Sequence, residues 1–95
     1  MFEITRDADG NIHLEGRFDA AQIARAKEVL SLVDDSCVVD FRELSYISSA
    51  GLGLLFATQK RVVDRGCALT LTNLNPHIRE VFRIAGFDNI FTIDE

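Results

Sequence analysis

The sequence predicts an α/β fold in one domain spanning residues 1–95, with strands and helices in the order β-β-α-β-α-β-α plus a tail. The sheet is expected to be mixed, with four or five strands and helices mainly on one face. Three observations predict this. Apolar and polar residues alternate strictly in several short segments, as in strands with one buried face. Other segments repeat apolar residues every three or four positions, as in helices. The last two strands are joined through a helix, so they are expected to be parallel with a right-handed crossover.

Phe2 and Ile4 alternate with Glu3 and Thr5, and Ile12 and Leu14 with His13 and Glu15. Asp7-Ala8-Asp9-Gly10-Asn11 lies between them, and Asp-Gly is a strong hairpin signal, so the two strands pair antiparallel at one edge. Gly16-Arg17-Phe18-Asp19 is expected to end the hairpin. Asp19 then caps a helix whose buried stripe runs through Ile23, Ala26 or Lys27, Leu30 and Val33.

Val38, Val39 and Phe41 form the continuous apolar run of a central or doubly covered strand. A short polar crossing, Arg42 to Ile47, is expected to separate it from a helix running from about Ser49 to Asp64. Ser48 and Ser49 sit where an N-cap belongs, since a short side-chain oxygen accepts from the unpaired N–H groups of a first turn. The capping hydroxyl is expected to face outward. Leu52, Leu55, Phe56 and Val62 or Val63 form this helix's stripe, and Arg65-Gly66 ends it. Gly51 and Gly53 each cost a helix about 0.5–1 kcal/mol relative to alanine, so close approach of a backbone or a partner is expected there.

Leu69 and Leu71 alternate with Thr70 and Thr72 in a further strand. Pro76 opens the last helix, striped by Ile78, Val81, Phe82 and Ala85 and ended by Gly86. Phe87, Ile90, Phe91 and Ile93 make an apolar tail expected to pack as a turn and a short strand.

Composition narrows the function. A net charge of -5 and scattered Lys and Arg argue against nucleic acid and anionic membranes as partners. The longest apolar run is too short to span a bilayer, and Met1 leads directly into a strand, so the chain is expected to be cytoplasmic. Cys37 and Cys67 lack metal-binding spacing and read as reduced, buried, small hydrophobes. His13, expected solvent-facing on an edge strand, and His77 bring no motif that would make either serine a nucleophile. Gly51-x-Gly53 lacks the lysine of a phosphate-binding loop. Asp7, Asp9, Asp34 and Asp35 read as solvated turns. No cofactor and no enzymatic activity are expected.

The stretch from Phe41 to Gly53, ending Ser48-Ser49-Ala50-Gly51-Leu52-Gly53, closely resembles the signature of the STAS domain of bacterial anti-sigma factor antagonists. Gly16-Arg17-Phe18-Asp19 resembles the turn after that family's second strand, and Asn75 to Phe87 resembles its last helix. The resemblance therefore covers nearly the whole chain. It implies a protein-binding switch: the unphosphorylated form binds an anti-sigma factor that is also a serine kinase, phosphorylation of Ser49 releases it, and a phosphatase resets the cycle. It further implies partner contacts at Gly16, Asp19, Ser48, Ala50, Gly51 and Leu52, with the glycines and Leu52 exposed enough to admit a partner. Ser48 stands where the family usually has Asp, a departure that favours somewhat an alternative, a STAS adaptor on a membrane transporter's ATPase that is never phosphorylated, while the intact serine at position 49 favours the switch. A ligand-binding sensor is a third reading, for which the sequence offers no dedicated pocket residues.

Overall fold

The structure, a computed structural model, describes residues 1–94. Strands β1 (Phe2–Arg6) and β2 (Ile12–Phe18) form the hairpin, and a 3-10 turn (Ala20–Gln22) leads into α1 (Ile23–Leu30). β3 (Cys37–Ile47), α2 (Ser49–Val63), β4 (Leu69–Thr72) and α3 (Pro76–Ile84) follow. A 3-10 turn (Phe87–Asn89) and β5 (Thr92–Asp94) come last, so the sheet formed by the described residues has five strands.

The strands lie in sequence order, β1-β2-β3-β4-β5, with β1 antiparallel to β2 and every other neighbour parallel. One face of the sheet is buried: Phe2, Ile4, Ile12, Leu14, Val39, Phe41, Leu69 and Leu71 point into it. Ala26, Leu30, Leu55, Val62, Ile78 and Phe82 from the three helices close over them. The intervening residues, among them Glu3, Thr5, His13 and Glu15, are exposed, so the helices cover one side as expected. β1 and not β2 is the edge, which places His13 one strand further in than its alternation suggested.

The expected polar crossing after Phe41 is strand. β3 runs unbroken to Ile47, and β2 extends with it to Phe18. Two register shifts explain the difference: the seven residues of β2 oppose nine of β3, from Val39 to Ile47. Each shift inserts one extra residue into β3, which breaks the two-residue alternation. Phe41, Leu44 and Ile47 therefore face inward at intervals of three. Gly16 lies within β2, not in a turn. Its φ is +88°, and the Met1 carbonyl, which accepts from Arg17 N–H at 2.9 Å, leaves no room for a side chain.

Other expectations shift slightly. Asp19 caps the 3-10 turn that precedes α1, and α1 stops at Leu30, so Val33 is buried from the following turn. Ala26, not Lys27, takes the inward position. On α2, Val62 is buried and Val63 is not; Phe56 lies at the surface, stacked on Phe87 with ring centroids 5.4 Å apart. Ala85 caps α3 and is exposed. Gln59 is buried: its side chain donates to the Ile90 carbonyl and accepts from Leu69 N–H, each at 2.8 Å, tying α2 to β4 and the tail. The cysteines are free and only half-buried, with Cys67 Sγ donating to Asp35 Oδ1 at 3.3 Å.

Candidate protein-interaction site

Because β2, β3 and β4 are parallel, their C-terminal ends share one edge of the sheet, and a helix begins just beyond each. The same device opens all three. Asp19 Oδ1 accepts from Ala21 N–H at 3.1 Å, Ser48 Oγ from Gly51 N–H at 3.1 Å, and Asn75 Oδ1 from Ile78 N–H at 2.8 Å. Each side chain satisfies one of the donors that a helix start leaves unpaired.

The two serines divide their roles. Ser48 N–H donates to the Phe18 carbonyl at 2.8 Å, which continues the β2–β3 pairing by one residue and holds Ser48 extended (φ -87°, ψ 169°). It is therefore Ser48 that caps α2, and its hydroxyl is engaged and half-buried. Ser49 is the first helical residue and is exposed; among the described residues its hydroxyl makes no hydrogen bond. The outward hydroxyl is thus the neighbour of the cap and not the cap itself. No acidic residue lies in the first turn of α2, so the positive end of the helix dipole beside Ser49 is not neutralised from within the helix.

The remaining expected contact residues sort by exposure. Ala50 is exposed, and Gly16 and Asp19 are half-buried. Gly51 and Leu52 are buried, a correction to the expectation that they open the approach to the serine. Gly51 faces Phe18 and Ile47, where a Cβ would lie 3.2 Å from Phe18 Cγ and 3.0 Å from Ile47 Cγ1. Its lack of a side chain serves the core. Gly53 is the open one: beyond its own stretch of helix backbone, no atom of the described residues lies within 4 Å of where its Cβ would be.

Sequence reasoning overlooked two neighbours of this edge. The Arg17 guanidinium lies 4.2 Å from the centre of the Tyr46 ring, and Ser45 Oγ donates to the Gly16 carbonyl at 2.9 Å. Both pairings depend on the shifted register between β2 and β3, which no local pattern announces. His13 lies on the bare face of the sheet, where Nε2 is 2.9 Å from Asp7 Oδ2 and Nδ1 is 3.6 Å from Asp40 Oδ2. Asp7 also accepts from the N–H groups of Asp9 and Asn11, so it organises its turn and is more than a solvated charge.

A family profile described as "Mlab, STAS domain" matches residues 2–93. The chain belongs to the STAS domain family. It is 33% identical over 92 residues to a STAS-domain containing protein of Pseudomonas aeruginosa, covering 90% of this chain and 91% of that one. It is 32% identical over 93 residues to the anti-sigma-B factor antagonist of Listeria monocytogenes, covering 93% of this chain and 82% of the relative. Its fold matches that of the anti-sigma factor antagonist SpoIIAA, solved unphosphorylated (TM-score 0.74, 17% identity, 100% and 88% coverage). The phosphorylated SpoIIAA of Bacillus matches similarly (TM-score 0.72, 18% identity, 100% and 92% coverage). Among the described residues, no helix is long and apolar enough to cross a membrane.

Proposed function

We propose that this STAS domain is a cytoplasmic anti-sigma factor antagonist that acts by binding and not by catalysis. In this reading it holds an anti-sigma factor/serine kinase while Ser49 is unmodified and releases it once Ser49 is phosphorylated; a cognate phosphatase restores binding. The observation that carries the reading is the exposed Ser49 hydroxyl at the start of α2, free of hydrogen bonds among the described residues and beside a cap that another residue supplies. A relative at 32% identity named as an anti-sigma-B factor antagonist supports the class of function.

The physics of such a switch is local. A phosphoserine carries about −1.5 to −2 charges at pH 7. At a helix N-terminus that charge is favourable by roughly 0.3–1 kcal/mol, so the domain stays folded. At a protein interface the same group must be desolvated or meet like charge, which costs on the order of 2–5 kcal/mol. About 1.4 kcal/mol corresponds to tenfold in affinity, so release requires no change of shape.

Incubation with ATP and candidate anti-sigma factor kinases, followed by mass-spectrometric mapping, tests the assignment. Phosphate on Ser49 that vanishes in Ser49→Ala is the expected result; phosphate on Ser48 alone, or none, defeats it. Ser48 in place of the family's Asp favours the transporter-adaptor reading, and an unmodified Ser49 together with tight binding to a transporter ATPase subunit would select it.

A further inference from the structure

Beyond Ser49, α2 presents a surface that the serine does not account for. From Ser49 to Gln59 the helix carries no charged residue, yet Ala50, Gly53, Phe56 and Ala57 are exposed. An outward helix face is ordinarily polar or charged. This face runs into an open cavity of about 120 Å³ between α1 and α2, lined by Lys27, Ser31, Leu54, Ala57, Thr58 and Arg61. The lining contains two cations and no carboxylate, in a chain whose net charge is -5. Arg61 donates to the carbonyls of Leu30 and Val33, which fixes its guanidinium at the end of α1. Lys27 is exposed and, among the described residues, forms no ion pair.

We propose that the α1–α2 groove receives an amphipathic helix of a partner protein, with small apolar residues along Ala50, Gly53 and Ala57 and a carboxylate set against Lys27. Small residues let two helices approach to about 8 Å between axes, near the lower limit for helix packing. The cavity is smaller than the roughly 300–1,000 Å³ of a small-molecule site and suits one or two side chains entering from above. Its charge selects the partner: an acidic flank is complementary, whereas a second copy of the same face would set Lys27 against its own counterpart. The proposal rests on reading the chain as a protein-binding module, and it is independent of whether Ser49 is phosphorylated.

The test titrates ¹⁵N-labelled protein with two synthetic amphipathic helices sharing one Ala/Leu stripe, flanked by glutamates in the first and lysines in the second. The acidic peptide is expected to shift the amides of Lys27, Gly53, Ala57 and Thr58, and the basic peptide to leave them in place. Lys27→Glu should weaken the acidic peptide by about three- to fivefold, the scale of an exposed ion pair. Gly53→Glu, whose Cβ would meet no described atom beyond the local helix backbone, should fold normally by circular dichroism and abolish the shifts, whereas Gly53→Ala should keep them. Equal response to both peptides, no response to either, or shifts confined to the bare sheet face would overturn the proposal. So would shifts at these residues that grow with protein concentration alone, which would assign the face to self-association. If the acidic peptide binds while Ser49 takes no phosphate from any kinase tried, the phosphorylation reading falls and the groove stands.

Discussion

Phe18 and Gly51 meet where β2 ends and α2 begins, so closely that a Cβ on Gly51 would lie 3.2 Å from Phe18 Cγ. Ile47 closes the other side at 3.0 Å, and Phe18 is fully buried, so neither neighbour can retreat into solvent. Gly51→Ala gains about 0.5–1 kcal/mol of helix propensity and incurs overpacking of about 1–3 kcal/mol. A net loss of about 1 kcal/mol is expected by urea unfolding. Gly53→Ala, two residues on in open space, should instead stabilise by about 0.5–1 kcal/mol. Opposite signs from two glycines in one helical turn would verify the packing assignment; equal signs would refute it.

Serine to alanine should also separate positions 48 and 49. Ser48→Ala removes the bond to Gly51 N–H and is expected to lower stability by about 1 kcal/mol, with Ser48→Asp restoring most of it. Ser49→Ala touches no hydrogen bond among the described residues and should stay within about 0.5 kcal/mol of the parent. Thermal unfolding of the three variants side by side is a sufficient measurement.

Gln59 satisfies the buried N–H of Leu69 and holds the Ile90 carbonyl. Gln59→Leu leaves that N–H unpaired, at about 1–3 kcal/mol, and frees the tail. Amide exchange should accelerate first at Leu69 and across β5. Unchanged protection in β5 would show that its pairing with β4 alone secures the end of the chain.

The His13 ring, followed by the N–H groups of Asn11 and Asp9, holds the Asp7 carboxyl below its ordinary value of 3.8. Since the folded value is the lower one, this contribution is complete above about 3.8 and disappears as pH falls through the folded value. His13→Ala should move the Asp7 titration, followed by carboxyl ¹³C shifts, up toward 3.8. The acid-unfolding midpoint should move up with it. An unmoved Asp7 would mean that the turn amides suffice.

Where side chains alternated, the sequence was legible. β1, the first half of β2 and β4 were readable because a sheet with one buried face imposes a period of two. β3 was readable only as far as Phe41, since the two inserted residues reset which side chain points inward and no local pattern encodes an insertion. The start of α2 was legible from its paired serines, but not which of them caps, because that is decided by the tie between Ser48 N–H and the Phe18 carbonyl, thirty positions away. The burial of Gly51 depends on Phe18 in the same way. The family signature falls at the edge of the sheet where β3 ends and α2 begins; the tertiary contacts decide which of its residues face outward.

The separation of Ser48 from Ser49 has a further consequence. The oxygen that secures the helix is the inner one, so a mark written on the outer oxygen and later erased, as proposed above, would leave the cap in place throughout. Under the proposed reading, a partner would then meet a change in chemistry on an unchanged shape, and the record could be rewritten without the domain having to refold.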